Sequence, residues 1–144
     1  MKALTILVVL FLSIEVFSQS SRCEKCSIET LSTVNGKMPL LSSTDIEDFL
    51  CTLSSSCSNN VEFSEFSSEL LLDILYEMPQ LFFNVICKID SDSLSLVVKK
   101  LEAPIVDTRL IEIRSRFSKV NGSKKLKRTL LSALDKSLEK LKSK

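Results

Sequence analysis

The 144-residue chain has no His, no Trp, two Gly and one Tyr. Missing His removes both the commonest general base and the commonest metal ligand, which argues against triad hydrolysis and most zinc chemistry. Two Gly leave no material for a phosphate-cradling loop. One Tyr and no Trp make no stacking platform, so the basic run Lys124-Lys125-Leu126-Lys127-Arg128 is not read as a nucleic-acid site. Neighbouring carboxylates such as Asp45, Glu47 and Asp48, or Glu62, Glu65 and Glu69, fall at spacings that line solvated helix faces. No catalytic residue, metal ligand or cofactor is expected, and the chain is read as not an enzyme.

Long apolar runs are confined to the start. Lys2 is a positive n-region, Ala3 to Ile14 an apolar h-region, and Val16-Phe17-Ser18 puts small residues at a cleavage site. Residues 1–18 are therefore expected to be a secretory signal peptide, cut after Ser18 or, as the second choice, after Ser20. A membrane span would need about 18 apolar residues, and Glu15 ends this one too early. The expected location is secreted, where cysteines become cross-links. There are five: Cys23, Cys26, Cys51, Cys57 and Cys87. Cys23-x-x-Cys26 lacks the second close pair that zinc requires and the βαβ setting of a redox site, so structural disulfides are expected, with one thiol left over.

The apolar period is helical throughout. Thr44 with Glu47 reads as a capping box ahead of Ile46, Phe49, Leu50 and Leu53. Phe63, Phe66, Leu70, Ile74, Leu75 and Met78 form the next stripe, ended by Pro79, and Leu81 to Ile89 an almost wholly apolar helix. Leu94 to Leu101 is stopped by Pro104. Val106, Leu110, Ile113, Phe117 and Val120 are closed by Asn121-Gly122 as a left-handed cap. Ser123 caps a last helix carrying Leu126, Leu130, Leu131, Leu134, Leu138 and Leu141. A short first helix near Cys23 to Val34 ends at Asn35-Gly36. The expected fold class is all-α, a small disulfide-stapled bundle of five to seven helices. The expected organisation is a cysteine-containing helical domain over 19–93 and a basic helical extension over 94–144.

Charge divides along the same line. Residues 19–98 hold 4 basic and 12 acidic side chains, whereas residues 99–144 hold 14 and 5. Such a split implies either an internal docking surface or two surfaces with different partners. Lys124, Lys125, Lys127, Arg128, Lys136 and Lys140 crowd beside the last leucine stripe, the composition of a helix lying on anionic lipid, although a leucine stripe is also what a core helix shows. Asn121-Gly122-Ser123 is a glycosylation sequon at Asn121.

Cys23-x-x-Cys26 opening the first helix, a capped helix from Asp45 running into Cys51, and Ile86-Cys87 after a Pro-broken apolar pair together resemble the saposin-like family over residues 22–93. Ser93 stands where that family places its last cysteine. The resemblance implies bridges Cys26–Cys87 and Cys51–Cys57, with Cys23 free or joining a homodimer. Cys51 and Cys57 cannot meet on an unbroken helix, so Ser54-Ser55-Ser56 would have to interrupt it. The resemblance further implies a non-enzymatic protein that binds lipids or membrane surfaces and can perturb them. Its helix pairs would open to expose Phe63, Phe66, Leu70, Phe82, Phe83 and Val85. The alternative is a secreted helical ligand or effector for a protein receptor.

Overall fold

A computed structural model describes residues 24–103 and 109–143. The signal-peptide segment, Cys23, Pro104 and Val106 lie outside the described residues. Among those described, every regular element is helical: α1 (Ile28–Gly36), α2 (Ser43–Thr52), a 3₁₀ turn (Ser55–Asn59), α3 (Val61–Glu77), α4 (Pro79–Ile86), α5 (Ser91–Glu102), α6 (Leu110–Ser118) and α7 (Lys124–Lys142). The molecule is an all-α helical bundle.

Most starts are set by one side chain that accepts from an otherwise orphaned N–H. Ser27 accepts from Thr30, Asn60 from Phe63, Asp90 from Asp92 and Ser93, and Ser123 from Leu126. Pro79 opens α4, where no N–H is required. The capping box of α2 lies two residues earlier than the Thr44–Glu47 expectation: Ser42 is the N-cap and Asp45 its reciprocal partner. Asp45 also pairs with the Lys37 ammonium, a contact that Glu47, exposed on the same helix, does not make. Hydrogen bonds from Lys37 and Ser42 hold the Asp45 carboxyl down to about 2.

The end of α6 also differs from expectation. The helix stops at Ser118, with Lys119 as a right-handed C-cap, and Asn121-Gly122 belongs to the link that follows. Lys127 reaches back from α7 to donate to the carbonyls of Ser118 and Val120 at 3.4 and 2.9 Å. Gly122 has φ +138°, and a Cβ there would lie 2.3 Å from the Phe83 ring, so conformation and packing both require glycine.

One apolar cluster runs through the bundle. Phe49, Phe63, Phe82, Phe83 and Phe117 are its largest members, joined by aliphatics from α1 to α7. The helices of residues 94–143 share it: Val97 and Leu101 of α5, Leu110, Ile113 and Phe117 of α6, and Leu130, Ala133 and Leu134 of α7 are all buried. Helix α7 packs on α5 and α6, and α6 packs on α3. No buried side-chain nitrogen or oxygen among the described residues lacks a hydrogen-bond partner.

The cysteine pairing corrects the one implied by the resemblance. Cys26 bonds Cys57, with Cα atoms 5.4 Å apart, and Cys87 is free and exposed. Cys51 is disulfide-bonded, but not to Cys57. Helix α2 does break before the serine run, ending at Thr52, as a Cys51–Cys57 bond would have demanded. The chain around Cys26 occupies the place instead. The Cys26 N–H donates to the Thr52 carbonyl at 2.9 Å, and the Ser27 N–H donates to the Thr52 hydroxyl at 2.9 Å. These bonds lay residues 26–27 along the end of α2, where the 3₁₀ turn delivers Cys57. Cys87 is the C-cap residue of α4, and its thiol donates to the Asn84 carbonyl.

Candidate binding surface

Phe63, Leu70, Phe82, Phe83 and Val85 are brought together by α3 and α4, but inside the bundle, each 2 % exposed or less. Phe83 meets Phe117 of α6 edge-on at 5.9 Å. Phe66 is half-buried against the same cluster. Large apolar residues that do face solvent are Leu40 before α2, Val61 opening α3 and Ile111 in α6.

Helix α7 has two sharply different faces because its leucines recur at helical spacing while its lysines fill the other positions. Leu130, Ala133, Leu134 and Ser137 are buried, and Leu126, Leu131, Leu138 and Leu141 flank them on the core. Lys124, Lys125, Arg128, Lys136, Lys140 and Lys142 are exposed, and Lys127 is half-buried. Local bonds engage Lys127, as above, Lys136 with Glu102 at 2.7 Å, and Lys140 with the Glu102 carbonyl at 2.8 Å. Lys136 holds the Glu102 carboxyl below its ordinary range, so that pair stays charged. Lys124, Lys125, Arg128 and Lys142 have no counter-ion among the described residues.

Asp135 does not offset them. Its carboxylate is gripped by Arg114 of α6 through Nε and through Nη2 at 3.1 Å, which lowers its pKa. Between these helices lies an open groove of about 550 Å³ whose rim includes Arg114, Lys124, Lys127 and Arg128. The first turn of α7 contains no acid. Cations at that positive end of the helix dipole are each disfavoured by about 0.3–1 kcal/mol. Arg114 was not singled out from the sequence, and the only signal there was its place in the basic half.

On α6 the charge split is an internal docking surface. On α6, Arg109 pairs with Asp73 of α3 at 2.8 Å, and Arg116 donates to the Tyr76 carbonyl at 3.1 Å. The guanidinium carbons of Arg116 and Arg109 lie 3.9 and 5.2 Å from the Tyr76 ring centroid. These arginines dock α6 on the acidic half, whereas the outward cations of α7 do not. Asn121 is exposed, its backbone clamped by Gln80, which accepts its N–H at 2.8 Å and donates to its carbonyl at 3.1 Å.

No protein-family model, curated protein or solved structure matches the chain. No described helix is long and apolar enough to cross a membrane, and no cluster of three or more His, Cys, Asp or Glu among the described residues could hold a metal ion.

Proposed function

We propose that this is an exported, non-enzymatic protein that adsorbs to anionic membrane surfaces through the outward face of α7 while its bundle stays closed. The observation that carries the reading is the division of α7: its leucines are committed to the core, while Lys124, Lys125 and Arg128 point outward with no counter-ion among the described residues. Export is supported by the leader-like first 18 residues and by the Cys26–Cys57 cross-link, a bond typical of oxidising compartments. The lipid surface that the saposin-like resemblance implies is kept. Adsorption through α7 needs no opening of the helix pairs, so the core aromatic residues stay covered.

The magnitude suits a reversible contact. A cation near an anionic leaflet contributes about 1 kcal/mol, so the four unpaired cations contribute about 4 kcal/mol, near millimolar affinity. Vesicle co-sedimentation tests this. Binding to phosphatidylserine-containing vesicles should exceed binding to neutral vesicles and fall as salt shortens the Debye length from about 30 Å at 0.01 M to about 8 Å. Replacing Lys124, Lys125 and Arg128 together by Gln should weaken it by about 100-fold. Equal binding to both lipids, or an unaffected triple variant, overturns the proposal. Absence of binding to either lipid turns the reading to a protein receptor.

A further inference from the structure

We infer that the cleft between the 3₁₀ turn, α3 and α5 is a binding site for a linear alkyl carboxylate, with the acid group on Lys100 and the chain against Leu53, Phe63 and Leu96. This site is distinct from the α7 surface, and its occupant enters as a single molecule rather than as a bilayer. The cleft measures about 380 Å³, within the range of about 300–1,000 Å³ typical of small-molecule sites. Leu53 and Phe63 are core residues that form its apolar floor, and Leu96 is half-buried at its wall. The Cys26–Cys57 bond pins the opposite wall, because Cys57 both lines the cleft and belongs to the 3₁₀ turn.

Lys100 decides the polarity of the occupant. Its side chain is half-buried, and among the described residues its ammonium donates only to the Ser64 carbonyl at 3.4 Å and the Ser68 hydroxyl at 3.3 Å, both long contacts with neutral acceptors. No carboxylate is found among the residues lining the cleft, whereas Lys99 adds a second cation at its edge. Burial without a counter-ion pushes the Lys100 pKa down. A half-buried ammonium is normally compensated by an anion, and none is found beside it among the described residues. One buried cation beside an apolar floor matches a ligand with one small acidic head and an unbranched apolar body. A phosphodiester with two acyl chains carries the same single charge but would need more room below its head than this cleft offers.

Calorimetric titration of the mature protein with octanoate, decanoate and dodecanoate, each below its micellar concentration, tests the site. Affinity should rise about tenfold for each two added methylenes until the cleft is full. Decanoate should exceed decanol by about 10- to 100-fold, the value of a hydrogen bond to a charged group. Lys100→Met, which preserves the packed stem, and Lys100→Gln, which preserves a donor to Ser68, should both erase that preference while leaving anionic-vesicle adsorption unchanged. Amide shifts in NMR spectra should cluster at Ser68, Leu96 and Lys99. Equal affinity for acid and alcohol, retention of the preference in both Lys100 variants, shifts located elsewhere, or no binding by any chain length would each overturn the inference.

Discussion

Leu134→Ala and Lys125→Glu, two substitutions in the same helix, should move stability in opposite directions. Leu134 is fully buried where α7 meets α5 and α6, so its truncation loses transfer energy and leaves a cavity, together about 2–5 kcal/mol. An ordinary domain is stable by about 5–15 kcal/mol, so the loss should lower the melting temperature by about 10 °C or more. Lys125 stands exposed in the first turn of α7, where there is no acid. Reversing its charge removes a disfavoured cation and places an anion at the positive end of the helix dipole, which together should stabilise by about 0.6–2 kcal/mol. Urea unfolding followed by circular dichroism measures both. The Glu variant should bind anionic vesicles less tightly even though it is the more stable protein, which separates adsorption from folding. A cost below about 1 kcal/mol for Leu134→Ala would refute the reasoning at its root, because the lysine face points outward only if the leucine face is core.

Non-reducing peptide mapping should join Cys26 to Cys57, and Cys87 should accept a maleimide without reduction. Replacing Cys57 by Ser should cost about 3–4 kcal/mol by the loop-closure estimate for the sequence separation of 31. Gly122→Ala, which leaves the sequon intact, should destabilise by about 1–3 kcal/mol, since its Cβ meets the Phe83 ring and its φ is positive; an unchanged melting temperature would mean that the link shifts freely. The Asp45 pKa is depressed on folding to about 2, so its contribution is present above the unfolded value near 3.9 and disappears as pH falls through about 2. Asp45→Asn should therefore remove about 1–2 kcal/mol at pH 7, allowing for the screening of Lys37, and the difference from the parent protein should vanish near pH 2.

The helices were legible because their signals are local. Asn60 and Ser123 are followed at once by leucine and phenylalanine spacings that no strand could use. The start of α2 was misplaced because Ser42–Asp45 and Thr44–Glu47 spell the same box. Only the tertiary contact from Lys37 distinguishes them. Cysteine partners were not legible for a related reason: the order of sulfurs along a chain does not say which strand of backbone lies beside the break after Thr52. The aromatic residues of α3 and α4 were legible as one apolar group, but a wholly apolar stripe reads alike whether another helix or a lipid covers it, so the sequence does not say that α6 closes over Phe83. Lys100 carried no signal in the sequence, where it is one more cation in a basic half; its meaning comes from the cleft beside it.

Tyr76 stands alone among the residues that dominate near-ultraviolet absorption, because the chain has no Trp and no second Tyr. Its ring carries two guanidinium groups from α6, and its hydroxyl donates to Glu112 at 3.2 Å. All the tyrosine emission of the protein therefore originates at the seam between α3 and α6. A change in that emission would report separation of these two helices and would be blind to fraying of α7 or loosening of α1. The protein thus contains a built-in optical gauge for one interface. A titration with vesicles that leaves this emission constant while the protein sediments would show that attachment occurs without parting of that seam.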